Sequence, residues 1–376
     1  MQAPIARTPI EGHSGMILVA IELSQRSWVV VSHSPDRDRL SRHKLAAGDV
    51  DGLLALIGQL RQRAEQTLGQ APAAASCYEA GYDGFWLHRR LLAAGIENLV
   101  IDPASLTVER RARRAKTDRI DGEKMLRALM AYRRGEPRVM SVVRVPSVEQ
   151  EDARRGTRER ERLIKERTGH INRIKALLRT LGIAAGEPGR EDWPAWLARQ
   201  CDGQGKPVPA RLRAELEREH ARLRLVGEQI QALAEAPAPT ATTDASARLA
   251  QLKGIGPVFA TTLAGELFWK DFKNRREVGA YAGLAPSPWQ SGGISHDQGI
   301  SKAGNRRARH VAVELAWLWL MHQPKSALSR WFQARVGDQR GRVRRIAIVA
   351  LARKLIIALW RFLTTGLVPT DAVLKA

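Results

Sequence analysis

The chain has 376 residues, enough for two or three domains that each bury a core of their own. Its 61 lysines and arginines exceed its 39 aspartates and glutamates by 22, an excess that indicates a polyanionic partner: nucleic acid first, an anionic membrane surface or a ribosome-like assembly as the alternatives. Two cysteines are too few for a disulfide framework or a thiolate zinc site, and they fit a reducing cytoplasm.

Strands and helices alternate in the first third of the chain. Residues 16–34 contain two apolar stretches, MILVAIEL and SWVVVSHS, which predict adjacent strands. A helix capped by Asp49 follows, then the buried strand AAASCYEA, a second helix near Trp86 and the strand NLVID. This alternation predicts a partly parallel α/β domain over residues 14–135.

Acidic residues occur where these strands end. Glu22 lies in the first strand and Glu79 ends the third, while Asp118 and Asp121 open a helix after the fourth. A carboxylate in an apolar strand is costly unless it is paired or bound to a metal, and Mg²⁺ requires oxygen ligands. Each carboxylate alone is more commonly a cap or an arginine partner, but their order and spacing favour a Mg²⁺ site, with Asp102 as a lower-ranked rival ligand.

A basic run directly precedes the two aspartates. We expect this run to hold a nucleic-acid backbone beside the cations that the carboxylates bind. Its members are Arg110, Arg111, Arg113, Arg114 and Lys116.

Heptad patterns characterise the middle of the chain. From Val148 to about Leu181 no residue breaks a long charged helix, and apolar residues recur every seven positions there and in a second helix after residue 209. A Gly/Pro-containing insert, residues 186–209, joins the two. The pattern predicts a coiled-coil helical hairpin over residues 145–235, in which the seam serves either an intramolecular hairpin or a dimerisation arm.

Residues 236–246 have the composition of a linker, and residues 247–368 then form a mostly helical C-terminal domain. In LKGIGPVFATTLAGEL, Gly254 and Gly256 lie between two helical patterns, as in a helix-hairpin-helix. Such glycines let backbone N–H groups approach a phosphate, although an ordinary tight turn has the same pattern. The apolar helices farther on are too short or too charged to cross a bilayer, so no membrane partner is expected.

The stretch GLAPSPWQSGGISHDQGISKAGNRRARH contains a candidate nucleophile. Ser291 precedes two glycines, a context that locally indicates a turn. His296 is a weaker candidate, for proton transfer. A basic cluster follows, which either clamps backbone phosphates or forms a solvated helix face: Lys302, Arg306, Arg307 and Arg309.

Three segments, AIELSQRSWVV, CYEAGYDGFWLHRRLLAAGI and RRAKTDRIDGEKM, resemble the N-terminal blocks of insertion-sequence family one-ten transposases, the bridge-RNA-guided recombinases. LIKERTGHINRIKALLRTLGI is similar to the coiled-coil segment of that family, and YAGLAPSPWQSGG and ISKAGNRRARH to its C-terminal transposase domain. The resemblance implies a RuvC-like domain with the RNase H fold and a metal-binding quartet, Asp-Glu-Asp-Asp. The matching residues here are Glu22, Glu79, Asp118 and Asp121, so a glutamate replaces the first aspartate.

The resemblance also implies an activity. The chain would cut and rejoin DNA through a covalent intermediate at Ser291, assisted by Mg²⁺ at the quartet; Ser287, between two prolines, is the competing hydroxyl. Implied partners are donor and target DNA, a non-coding guide RNA, and copies of the chain in a dimer or tetramer whose active sites draw on different subunits. Two alternatives remain: a RuvC-like nuclease that uses water, and an inactive nucleic-acid-binding derivative, which Glu22 favours.

Overall fold

A computed structural model describes residues 15–37, 39–106, 118–237, 239–291 and 294–375. The chain divides into two units, Met1–Pro146 and Ser147–Ala376. Within the described ranges, no helix combines the length and the apolar composition needed to cross a bilayer.

The first unit contains a five-stranded mixed sheet in the order β3-β2-β1-β4-β5. Strand β1 pairs antiparallel with β2, which pairs antiparallel with β3, whereas β4 runs parallel to both β1 and β5. This confirms the predicted α/β domain and is consistent with the nuclease-like fold that the resemblance implies. The strands are β1 (Ile17–Glu22), β2 (Ser27–His33), β3 (Ser41–Ala46), β4 (Ala74–Glu79) and β5 (Glu97–Ile101).

Helices cover both faces of this sheet, which is why the central strands β1 and β4 are mostly apolar and are buried up to their final glutamates. Helices α1 (Val50–Leu68) and α2 (Trp86–Ala93) pack on one face, and α3 (Asp118–Arg133) packs on the other. Helix α1 begins as predicted: the Asp49 side chain accepts a hydrogen bond of 2.8 Å from the backbone N–H of Gly52.

Strand β3 is absent from the sequence prediction. Its residues alternate between half-buried and exposed, and three consecutive ones are basic, Arg42, His43 and Lys44. It is an edge strand, where charged side chains discourage pairing with another chain. At the opposite edge, the chain after α3 returns to β5, since Val143 N–H donates to the Val100 carbonyl at 2.8 Å. The first unit therefore continues beyond residue 135.

Among the residues described, the second unit consists of ten α-helices, one short 3-10 helix and one β-hairpin. The C-terminal domain is mostly helical as predicted, and the β-hairpin within it was not predicted. The elements are α4 (Val148–Asp152), α5 (Arg155–Arg179), α6 (Trp193–Ala198), α7 (Ala210–Glu235), α8 (Thr243–Ala250), α9 (Pro257–Glu266), α10 (Arg275–Tyr281), β6 (Pro286–Ser291), β7 (Ile294–Ile300), α11 (Arg306–His322), α12 (Ala327–Val336) and α13 (Arg342–Thr365).

Helices α5 and α7 lie antiparallel. Arg173 pairs with Glu215 at 2.7 Å, whereas Leu163, earlier in α5, packs against Val226 and Ile230, later in α7. The two helices and the insert between them therefore form the predicted helical hairpin, while the coiled-coil geometry itself stays a prediction.

The prediction of one unbroken helix from Val148 is wrong. A turn at Ala153 and Arg154, both buried and both still in the right-handed helical region of φ and ψ, separates α4 from α5. The Arg154 guanidinium lies over the Trp269 ring, 4.2 Å from its centroid. A contact between distant residues, which no local pattern encodes, therefore accompanies the break. Residues 240–242, predicted as linker, form a short 3-10 helix that leads directly into α8.

Candidate active site

Two of the four predicted metal ligands end neighbouring parallel strands. The β1–β4 ladder includes the pair Ile21 and Tyr78, and Glu22 and Glu79 are the next residues on the two strands. Both glutamates are partly exposed. The carboxyl end of a parallel pair is where α/β sheets commonly bind ligands.

Both glutamates belong to the sheet face that α3 covers. Ala20 and Cys77, two residues earlier in each strand, pack in the cluster formed with α3. Because strand side chains alternate between faces, Glu22 and Glu79 lie on that same face. Burial raises the pKa of the Cys77 thiol, and the negative charge of Glu79 raises it further, consistent with the proximity of these two side chains.

Helix α3 brings its first turn toward the same end of the sheet. The Cys77 thiol donates to the Met125 carbonyl at 3.9 Å, and Asp121 lies one helical turn before Met125. At the other end of α3, Arg133 forms an ion pair of 2.5 Å with Glu97, the first residue of β5. Asp121 is therefore on the side of the sheet where β1 and β4 end. Its own ion-pair contact is with Lys124, at 3.7 Å.

The described carboxylates do not form a complete metal site. In the ranges that the structure covers, no three His, Cys, Asp or Glu side chains are placed to hold a metal ion together. The backbone of Asp118 begins α3, but its side chain lies outside the described part. Carboxylate oxygens at a strand end are the donors that a hard divalent cation takes, so the donor type fits while the geometry of the ligand set stays a prediction.

The remaining predictions around this site have different outcomes. Asp102 is exposed and accepts a hydrogen bond of 3.0 Å from Ala104 N–H, so the rival ligand acts as a turn cap. The basic run lies outside the described residues, and its phosphate contacts stay a prediction: Arg110, Arg111, Arg113, Arg114 and Lys116.

Ser291 is the last residue of β6 and pairs with Ile294, the first residue of β7. It thus ends a strand directly before residues 292–293; the local sequence indicated a turn residue at Ser291, and the flanking strands were not predicted. Pro286 and Pro288 argue against a strand, and they are accommodated at the far end of the hairpin, next to a register irregularity. Ser287 lies at that irregularity. The side chains of Ser291 and His296 lie outside the description.

Backbone hydrogen bonds join the two chain segments at the base of this hairpin, next to α10 and α11. Ser301 N–H donates to Ala285 at 2.8 Å, and Asn305 N–H donates to Tyr281 at 2.6 Å. Gly304 has a φ of +131°, and a Cβ there would overlap the Tyr281 carbonyl oxygen. Only glycine fits this close approach, so the chain after Ser291 returns along a fixed path.

The predicted phosphate-binding cluster divides into two pairs. Arg309 donates to the backbone carbonyls of Lys302 at 2.9 Å and Ala282 at 3.3 Å, and Arg307 forms an ion pair of 2.9 Å with Glu161 of α5. Lys302 and Arg306 are exposed. Two arginines therefore stabilise the loop and the α5–α11 contact, and the phosphate role of the cluster stays a prediction.

A buried carboxylate that the sequence analysis missed stabilises this region. Glu266 is 1% exposed; it accepts from Arg158 at 2.6 and 3.1 Å and from the Asn305 side chain at 2.9 Å. Burial alone would raise the pKa of Glu266, but these hydrogen bonds and the Arg158 charge keep it below its ordinary value of 4.5. Asn305 also caps α11. The sole indication of this buried ion pair in the sequence is an acidic residue within an apolar helix.

We expect Arg158→Ala to lower the free energy of unfolding by about 3 kcal/mol, because it leaves the Glu266 carboxylate buried without its ion-pair partner. Urea denaturation at pH 7 measures the change. The matched control is Arg162→Ala, one turn later in α5, which removes an exposed pair with Glu166 of equal length, 2.6 Å. The control should cost less than about 1 kcal/mol; equal losses in both variants would contradict the assignment.

The two glycines of the Gly-Ile-Gly turn differ in structure. Gly254 has a φ of +90°, and a Cβ there would lie 2.8 Å from the Cβ of His322. The preceding residue, Lys253, donates its N–H to the Val373 carbonyl at 3.0 Å. Gly256 begins α9 as its N-cap, and a Cβ there would meet open space. The turn joins α8 and α9 as predicted, while its binding of phosphate stays a prediction.

Gly254→Ala is expected to lower the free energy of unfolding by about 2–4 kcal/mol, since it combines a left-handed backbone with a clash. Gly256→Ala should change it by less than about 1 kcal/mol. Thermal unfolding of both variants tests this difference. If the two substitutions destabilised the protein equally, the steric role of Gly254 would be refuted.

Comparisons with known proteins show which family the chain resembles. The family described as "Transposase IS116/IS110/IS902 family" matches residues 246–330, and the IS110-type DEDD transposase family, described as "Transposase", matches residues 19–183. The chain is 48% identical over 389 residues to "Putative transposase y4rJ" of Sinorhizobium fredii, covering 100% of this chain and 98% of that protein. It is 29% identical over 288 residues to the "Transposase for insertion sequence element IS1111A" of Coxiella burnetii, covering 74% of each.

Proposed function

The chain belongs to the IS116/IS110/IS902 transposase family and is a DNA transposase, and we propose that it cuts and rejoins DNA through a covalent bond to Ser291. In this proposal the residues Glu22, Glu79, Asp118 and Asp121 hold divalent metal, with Mg²⁺ as the natural ion. The observation that carries the metal site is the position of Glu22 and Glu79 at adjoining strand ends, on the face against which α3 packs.

The chemistry at the serine is a transesterification. The Ser291 oxygen forms a bond to phosphorus, the bond from phosphorus to one deoxyribose oxygen breaks, and the serine proton passes to solvent while the leaving oxygen gains one. A metal held by carboxylates would stabilise the charge that develops on the phosphate oxygens. One phosphodiester replaces another, so the bond energy is conserved for rejoining to a second strand.

The hairpin supports this role for Ser291. Ser291 ends a strand beside a connecting segment, the kind of position that commonly carries functional residues, and the backbone hydrogen bonds at the base of the hairpin hold the strands that lead to it. The overall positive charge favours the approach of a polyanion. The quartet belongs to the first unit and Ser291 to the second. We propose that the two meet on DNA within a dimer or tetramer.

The experiment that tests the covalent step uses the full-length protein with DNA that contains the ends of its element and Mg²⁺. After denaturation, labelled DNA should remain attached to the protein, and peptide mass spectrometry should locate the attachment at Ser291. Chelation of divalent metal should prevent the adduct. DNA that is cut but never attached would overturn the proposal.

A guide RNA is the second part of the proposal. The net charge of +22 suits a protein that binds nucleic-acid backbones while base pairing selects the sequence. The test is purification of the protein from cells that contain its element, followed by sequencing of bound RNA. Recovery of a discrete transcript complementary to both DNA partners supports a guide, whereas efficient recombination in ribonuclease-treated, RNA-free protein excludes it.

A metal-dependent nuclease that activates water is the second candidate function. The match to the DEDD family covers the whole carboxylate region, and four carboxylates of this type suffice for hydrolysis without a serine. This candidate predicts cleavage that survives loss of the Ser291 hydroxyl. An inactive nucleic-acid-binding derivative, the third alternative, predicts no cleavage under any metal condition.

A further inference from the structure

A basic groove on the C-terminal part of the second unit lies outside every site considered so far. It has a volume of about 660 Å³, and the residues that line it come from α10, α12, α13 and the chain after α13. We propose that this groove binds the phosphodiester backbone of a DNA duplex. The inference rests on the chain being a DNA transposase and is independent of the chemistry proposed for Ser291.

Charge is the first argument for a polyanion. Of the described residues that line the groove, none is acidic and five are cationic: Arg275, Arg276, Arg353, Lys354 and Arg361. Positive charges placed this close together repel one another, and a ligand with several negative charges relieves that repulsion. A single carboxylate or phosphate would neutralise only part of the five positive charges. A polymer with regularly repeated negative charges neutralises more of them.

The groove floor is one face of α13. Ala350, Arg353, Ile357 and Arg361 recur at intervals of three or four residues, so they share a stripe along the helix. Arg353 and Arg361 are eight residues, or about 12 Å, apart along the helix axis. Phosphates follow one another every ~3.4 Å of helix axis along one strand of B-form DNA, so two cations this far apart contact different phosphates of the same backbone.

Packing holds part of the groove in place before any ligand binds. The Arg353 side chain crosses α10 at Gly279, where a Cβ would lie only 3.0 Å from its Nε. This Nε is buried and lacks a hydrogen-bond partner among the residues described. The Lys354 ammonium lies over the Trp331 ring, 4.6 Å from its centroid. The side chains of Arg353 and Lys354 are thus already ordered, so binding a ligand costs them little additional conformational entropy.

The lining chemistry favours a duplex over single-stranded nucleic acid. In the part of the chain that the structure describes, no aromatic side chain lines the groove, so unpaired bases would find no ring to stack on. Single-strand sites depend on such stacking. The remaining contacts are aliphatic, including Leu328 and Ile357. A groove lined by arginine and lysine side chains, with no aromatic rings on which bases could stack, is suited to contacts with backbone phosphates.

The test uses the triple variant Arg275→Gln/Arg276→Gln/Arg361→Gln, whose three arginines are exposed and are not needed for the buried packing at Arg353. Fluorescence anisotropy measures binding of a labelled DNA duplex of arbitrary sequence over a range of salt concentrations. We expect the affinity to fall at least about tenfold, and the slope of log K against log salt to decrease in magnitude by about 2–3, roughly 0.9 for each phosphate that the variant no longer neutralises.

The control is a second triple variant with the same charge change on other exposed arginines, Arg199→Gln/Arg211→Gln/Arg218→Gln. It should retain the wild-type slope. Thermal unfolding confirms that both variants fold. A wild-type slope in the groove variant, or an equal decrease in the control, overturns the proposal. So does a decrease confined to an RNA duplex or to single strands measured in parallel. The Ser291 adduct, assayed at low salt, reports separately on the proposed chemistry.

Discussion

Replacing Ser291 with alanine abolishes the covalent protein–DNA adduct and lowers DNA strand transfer by at least about a thousandfold. The reason is that the substitution removes the oxygen that bonds to phosphorus, and the loss of a covalent nucleophile has effects of this size or larger. The assay measures denaturation-resistant, protein-linked DNA and joined product from the same reaction. Binding of DNA should stay within about twofold, since phosphate contacts supply the affinity.

Ser287→Ala is the matched control for this prediction. Ser287 lies in the same strand, next to the register irregularity between Pro286 and Pro288, and its replacement should leave adduct formation within about threefold of wild type. Cleavage by Ser291→Ala without an adduct would instead establish the water-dependent nuclease. An adduct that persists in Ser291→Ala and disappears in Ser287→Ala would transfer the catalytic role to Ser287.

The second large effect concerns the carboxylates. Glu79→Gln and Asp121→Asn should each reduce strand cleavage by about a thousandfold, equivalent to about 4 kcal/mol of transition-state stabilisation. An amide retains the shape of the side chain but removes the negative charge that holds a divalent cation. Cleavage rates measured at increasing Mg²⁺ or Mn²⁺ should show a higher metal requirement in both variants, a change that misfolding alone would not produce.

Asp102→Asn is the control, because Asp102 caps a turn by accepting a hydrogen bond and an amide oxygen can do the same. It should retain cleavage within about threefold. If Asp102→Asn instead lost activity while Asp121→Asn retained it, the rival ligand would belong to the site and Asp121 would not.

Glu22 requires its own variant, since the family pattern has aspartate there. In our account Glu22→Asp changes the cleavage rate by less than about tenfold, because both side chains are oxygen ligands and differ by one methylene. If wild-type protein failed to cut DNA and Glu22→Asp gained metal-dependent cleavage, the natural chain would be an inactive nucleic-acid-binding derivative.

Features encoded by local pattern were predictable. The central strands β1 and β4 are mostly apolar because helices cover both faces, and these apolar runs are visible in the sequence itself. The cap at Asp49 and the helices on either side of residues 186–209 follow from similarly local rules. These rules also placed Glu22 within its strand and Glu79 at the end of its strand; in the structure each glutamate is the last residue of its strand.

Features set by distant contacts were missed. Strand β3 is polar because it is an edge, and β6 contains prolines that a hairpin end tolerates. The interruption at Arg154 involves Trp269, 115 residues later, and Glu266 is buried because Arg158 and Asn305 reach it. Nothing local distinguishes Ser291 from a turn serine; its proposed role came from the family resemblance and the hairpin position together.

The most direct test is the structure of the DNA-bound assembly with the serine adduct trapped. We predict that the phosphorus bonded to Ser291 lies within about 6 Å of the carboxylates of one quartet, in the same subunit or a neighbouring one, with metal between them. A Ser291–DNA linkage remote from the quartets of all subunits would contradict the account.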